Sequence, residues 1–215
     1  MSSVRQYAST EIFADVTEPA LEHILTQTSS HHSPSSSHPN AEQSVIKKPS
    51  LLNMSNSYEL FDAVVGDPKA GSDFDDTQYL PQGTTIKSIS SIAVRYGWYI
   101  DALDVVYTLS NGEPRSTGHG GWGDNTNIQN WSYNFGKGEQ LLKVEARGGP
   151  GKHVNLLRLH VGTNGKITKV FPSENGWFGD KNKGSGDIVT VDKEVVAFAG
   201  TQSDYIESLR FYVKK

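Results

Sequence analysis

From Tyr58 onward the apolar residues are mostly β-branched or aromatic, and they alternate with polar ones. "TTIKSISSIAVRYG" (84–97) sets Ile86, Ile89, Ile92 and Val94 among Ser, Lys and Arg, with one slip in the alternation. A period of two puts one face of a strand against a core, and a slip marks a bulge. "ALDVVYTLSNG" (102–112) ends in Asn-Gly, a strong hairpin signal. "LLKVEARGG", "NLLRLHVGTNGK", "ITKVF", "DIVTVDKEVVAFAG" and "SLRFYV" follow the same habit. Short strands with turns about every 8–12 residues, and no long helical period, predict an all-β domain: a sandwich, barrel or prism.

Residues 1–56 have a different texture and read as an N-terminal extension to a domain spanning 57–215. "TSSHHSPSSSHPN" (28–40) is too polar to bury apolar surface that offsets its ordering entropy, so it reads as a solvated linker. Before it, Ile12, Phe13, Val16, Leu21, Ile24 and Leu25 have helical spacing, interrupted at Pro19.

Composition narrows the function classes. A net charge of −4 gives no electrostatic case for nucleic acid. The chain has no Cys, which excludes disulfides and thiolate metal sites. No apolar run approaches the roughly 20 residues of a membrane span, and the first residues lack the apolar core of a signal peptide. A cytoplasmic location is therefore expected, with non-classical release as a further route. His119, His153 and His160 lie in no metal-ligand or Ser/His/Asp pattern, and no nucleotide motif is present, so neither cofactor nor catalysis is expected.

Self-similarity changes the picture most. "GWYIDALDVVY" (97–107), "GKHVNLLRLHV" (151–161) and "SDYIESLRFYV" (203–213) align without gaps, their starts 54 and 52 residues apart. The third position is a ring (Tyr99, His153, Tyr205) and the fourth is β-branched (Ile100, Val154, Ile206). The fifth is an acid or amide (Asp101, Asn155, Glu207), and the seventh is Leu. A turn feeding a strand thus occurs three times, implying three small sheets around one axis with their turns at one end. Each copy has a glycine-rich companion, at 66–76, 117–127 and 175–187.

An acceptor-only carboxylate on a turn, beside backbone N–H groups and an aromatic ring, suits a sugar's vicinal hydroxyls and C–H face. Glycoside hydrolysis instead needs two carboxylates about 5–10 Å apart, and here the acids, one per repeat, should lie far apart. The plainer alternative is that Asp101, Asn155 and Glu207 simply cap their turns.

These residues resemble jacalin-related lectins. The resemblance rests on the G-x-x-x-D turn "GWYID", the order "FDD", "IKSISSIAVRYG", "GHGGWG", "VGTNGK" and "SLRFYV", and covers roughly 58–215. It implies a β-prism I fold, three four-stranded Greek-key sheets with pseudo-threefold symmetry. It also implies a non-catalytic lectin that takes mannose- or glucose-type glycans and forms a homodimer or higher oligomer. The intact first glycine loop points to that sugar group rather than to the galactose-preferring one.

The resemblance maps onto three candidate sites. Gly97, Trp98, Tyr99 and Asp101 would pair with the loop carrying Gly123 and Asp124. Ser203, Asp204, Tyr205 and Glu207 would pair with Gly71, Ser203 standing for Gly and Glu207 for Asp. Lys152, His153 and Asn155 would pair with the loop carrying Gly184. The order of preference is Asp101, Glu207, Asn155. A shifted frame, Gly200 to Asp204 ("GTQSD"), restores the motif at the cost of strand register. The competing function is a protein-interaction or regulatory module on the same scaffold, its sugar sites degenerate.

Overall fold

The computed structural model describes residues 57–121, 127–148 and 153–215. The expected extension, including its helical segment and the 28–40 linker, lies outside the described residues. The strands are β1 (Tyr58–Leu60), β2 (Val65–Gly66), β3 (Ser72–Asp75), β4 (Ile86–Tyr96), β5 (Ile100–Leu109), β6 (Pro114–Gly120) and β7 (Gln129–Asn134). They continue as β8 (Glu139–Arg147), β9 (Leu156–Thr163), β10 (Lys166–Phe171), β11 (Val189–Val191), β12 (Val195–Gln202) and β13 (Ile206–Lys214).

The pairing is antiparallel throughout and falls into three equivalent groups. One sheet has the order β7-β4-β5-β6, a second β11-β8-β9-β10. In both, the fourth strand returns beside the first, which is the Greek-key order. The third group reads β3-β12-β13, completed by β1 and β2 on the far side of β13. It has the same order, but its third and fourth strands come from residues 58–75. The last two groups are joined by a single pair, Val195 opposite Leu141. This is the β-prism that the threefold repeat implies.

Alternation builds the core. Along β5, Leu103, Val105, Tyr107 and Leu109 point inward and are buried, while Asp104 is exposed. The seventh-position residues Leu103, Leu157 and Leu209 are each 0% exposed. Burying one such side chain contributes about 1.5–3 kcal/mol. The β4–β5 ladder slips in three places rather than the one expected, between Ile86 and Ser88, Ile89 and Ser91, and Arg95 and Tyr96. Each slip adds local twist. "DIVTVDKEVVAFAG" holds two strands, β11 and β12, and the glycine-rich segment from Thr117 begins inside β6.

Among the buried polar groups is a cluster around Asp76. The Tyr107 hydroxyl donates to Asp76 Oδ2, and His119 Nε2 lies 2.6 Å from Asp76 Oδ1. His119 stacks on Phe74, centroids 3.8 Å apart. Burial, and then the Asp76 charge, push the Tyr107 phenol well above its ordinary range.

Candidate functional site

The three repeated turns meet at one end of the prism. Gly97 N donates to Tyr99 O at 3.0 Å, and Ser203 N to Tyr205 O at 2.9 Å. The shared bond selects the 203–207 frame. Gly200 lies inside β12, where an added Cβ would sit 2.0 Å from Ser208 O, so the shifted frame is not a turn. Neither Gly97 nor Ser203 is among the positive-φ residues, and Ser stands at the first position without backbone strain.

The fourth positions join the turns to one another. Ile100 N donates to Val154 O, and Val154 N to Ile206 O, both at 2.9 Å. The rings at the third position then pack together: Tyr99 on His153 at 4.9 Å, His153 on Tyr205 at 4.5 Å, Tyr99 on Tyr205 at 5.6 Å. The turns thus gather at one end, as the repeat implies. Three short turns that close one end of a narrow prism have nowhere else to put their rings.

Each glycine-rich loop closes on the fifth residue of its turn. At Gly66, Gly120 and Gly179, φ is +88°, +81° and +92°. A Cβ there would fall 2.1, 2.1 and 2.0 Å from the carbonyl oxygens of Glu207, Asp101 and Asn155. Only glycine allows both the angle and the approach. Asp67 N donates to Glu207 O at 2.9 Å, and Gly121 N to Asp101 O at 3.1 Å.

The fifth-position side chains then diverge. Asp101 is fully buried, at the head of β5. Asn155 is also buried, and its amide donates to the carbonyls of Asp180 (3.1 Å) and Lys183. Arg147 reinforces that clamp, donating to Lys181 O at 2.7 Å and Lys183 O at 3.0 Å, with Nε 3.4 Å from Asn155 Oδ1. Gly184 faces the Asn155 amide, where a Cβ would sit 2.9 Å from Oδ1. Glu207 accepts from the Ser203 hydroxyl on Oε1 and lies 2.5 Å from His153 Nδ1 on Oε2. Gly71 packs over it, where a Cβ would come within 3.2 Å of Glu207 Cγ.

The remaining predicted residues are placed as follows. Trp98 is 39% exposed, and Lys183 Nζ lies 4.3 Å from its ring centroid, a cation–π contact. Tyr99 and Tyr205 are half-buried in the ring cluster, so they are less exposed than Trp98. Asp204 is exposed beside Gly121. Gly123, Asp124 and Lys152 lie outside the described residues.

Sequence reasoning missed Gln202, Arg147 and Lys183. Gln202 Oε1 accepts from Gly120 N at 2.6 Å, tying the 117–127 loop to the 203–207 turn. Asp75 anchors the end of the first loop. Burial would raise its carboxyl, but bonds from Thr77, Tyr212 and Gln78 outweigh that and hold it below the usual range.

A family model for the jacalin-like lectin domain matches residues 63–212. Among solved structures, a mannose-specific jacalin-related lectin from Morus nigra, in complex with mannose, is 20% identical with a TM-score of 0.56. The match covers 75% of this chain and 97% of that one. A mannose-binding lectin from Champedak is likewise 20% identical, TM-score 0.56, with 75% and 100% covered. For a mannose-binding jacalin-related lectin from Ananas comosus the values are 20%, 0.54, 74% and 99%. At this identity the structural likeness concerns the fold. No curated protein matches the chain.

Proposed function

Because the chain belongs to the jacalin-like lectin domain family, whose members bind carbohydrate without catalysis, we propose that it recognises mannose- or glucose-type glycans at the loop–turn junctions of the prism end. The observation that carries this reading is the threefold closure of a glycine loop on the fifth residue of a turn, with an acid at that position twice. Asp101 is the leading hydroxyl acceptor and exposed Trp98 the flanking ring. Glu207 with Gly71 ranks second. Asn155, clamped to its own loop, ranks third. The uninterrupted first loop, Gly66 to Asp76, supports the mannose/glucose group over galactose. Each neutral hydrogen bond contributes only about 0.5–1.5 kcal/mol net, so single junctions bind weakly. Several junctions and a homodimer raise avidity.

Calorimetric titration with mannose and mannotriose tests the reading. Wild type should give heat, and Asp101→Ala should weaken binding about tenfold or more, the effect of losing charge-assisted bonds worth about 1.5–3 kcal/mol. Binding confined to galactosides on a glycan array would refute the sugar class. A second reading, a protein-interaction module, draws on the internal engagement of Asn155 and Glu207. Absence of binding to any glycan would favour it.

A further inference from the structure

We propose that His153 is the positioning residue of the Glu207–Gly71 junction (the first, by its glycine loop, with Asp101 at the second and Asn155 at the third): it holds the Glu207 carboxylate and sets how strongly that carboxylate accepts sugar hydroxyls, so that binding there depends on pH. This inference rests on the lectin reading above.

Glu207 is one methylene longer than Asp101, so its carboxylate has an extra rotor to fix before it can serve as an acceptor. Two contacts fix it. Ser203, on the same turn, donates to Oε1. His153 comes from the 151–161 repeat and lies 2.5 Å from Oε2. Each carboxylate oxygen has two lone pairs, so each keeps one for a ligand. The Glu207 side chain is 8% exposed and the His153 side chain 33%, so an enclosed acceptor sits beside a partly exposed imidazole.

Among the described residues, the titratable groups packed on His153 are Glu207, Tyr99 and Tyr205. Imidazole is the side chain that gains charge near neutral pH. Neutral His153 with its proton on Nδ1 still donates, and the carboxylate keeps its full charge for sugar hydroxyls. Imidazolium forms a charge-assisted pair that cancels much of that charge. The first junction should therefore bind glycans better at higher pH. The arrangement arises because the third-position ring is His in one repeat and Tyr in the other two. That ring cluster carries the 151–161 repeat across to the Glu207 junction.

The test uses the full chain with Asp101→Asn, which silences the second junction, alone and combined with His153→Gln or His153→Ala. Mannotriose is titrated at about pH 5.5 and about pH 8, either side of the usual histidine range. The single variant should bind about fivefold tighter at the higher pH, the effect of roughly one hydrogen bond. Gln, which donates without titrating, should give a flat profile within about twofold of the high-pH value. Ala should be flat and about fivefold weaker throughout. A flat profile for Asp101→Asn, a pH-dependent one with Gln, or loss of all binding in Asp101→Asn while wild type binds, each overturns the proposal.

If wild type binds no glycan at either pH, the lectin reading has failed, and the positioning is read without sugar. The His153 Nδ1 proton should then appear as a low-field, hydrogen-bonded NMR signal that moves in Glu207→Gln. An unmoved signal overturns the positioning itself.

Discussion

Gly66 and Gly112 provide a matched pair for testing whether the loop–turn closure holds the prism end together. Their φ values are +88° and +89°, so replacing either with Ala imposes the same left-handed strain, about 1–2 kcal/mol. Their surroundings differ completely. At Gly112 an added Cβ meets nothing within 4 Å. At Gly66 it would fall 2.1 Å from Glu207 O, against a working minimum near 3.0 Å, so the backbone must move by about 1 Å. That shift breaks Asp67 N to Glu207 O, now 2.9 Å, and strains the Gly66–Ser208 pairing. Losing one or two such bonds costs about 0.5–1.5 kcal/mol each. We therefore expect Gly66→Ala to cost about 2–4 kcal/mol and Gly112→Ala about 1. Urea unfolding of both full-length variants, with m-values compared, measures the difference. Equal midpoints would mean that the close approach carries no energy, and the account of the glycine loops would be wrong.

The Asp76 cluster predicts that Tyr107→Phe destabilises by about 1–3 kcal/mol, because Asp76 loses a buried donor; a loss below about 0.5 kcal/mol in urea unfolding would refute this. Asn155→Ala should speed amide hydrogen exchange across 180–187 by releasing the carbonyls of Asp180 and Lys183, while leaving mannose heat intact; lost heat would move the third junction up the ranking. Glu139 is held at about 2, against 4.5 for the ordinary group, by Lys169 first, then the Tyr133 hydroxyl and Gly136 N–H. A depressed carboxyl contributes stability that is present above its unfolded value and lost as pH falls through the folded one. Glu139→Gln should therefore flatten the acid loss of stability between those two values, and an unchanged acid limb would refute it.

Strand positions were legible because alternation is a backbone property: a residue on the inner face of β5 is apolar whatever its distant neighbours are. The repeat was legible for a related reason, since three equivalent turns need the same small, ring, β-branched and oxygen-bearing residues. What could not be read were contacts between repeats. Nothing in "GKHVN" or "SDYIE" says that His153 reaches Glu207, because the contact exists only once three turns share an axis. Arg147 was opaque for the same reason: at the end of β8 it looks like a solvated charge, and its role depends on where residues 181–183 pass. The register slips of β4 were only partly legible, since a bulge on one strand is defined by its partner.

The structure also separates two roles that the sequence merges at the fifth position. The backbone role is the same in all three repeats: the carbonyl of Asp101, Asn155 or Glu207 seats against a positive-φ glycine. That role needs no particular side chain, which is why Asp, Asn and Glu all occur there without disturbing the turn. The side-chain role is then free to diverge. Asn155 closes its own loop, Glu207 is bridged to a neighbouring repeat, and Asp101 is fully buried at the head of β5. The side chains of Asn155 and Glu207 bond within their own loop and turn, as the capping alternative expects. The Asp101 carboxylate is the one proposed above for a ligand. On the proposed reading, Asp101→Asn should weaken glycan binding by more than its loss of folding stability in urea, about 0.5–3 kcal/mol for a buried site, accounts for. A binding loss that the stability loss accounts for would show that the two roles are not separable.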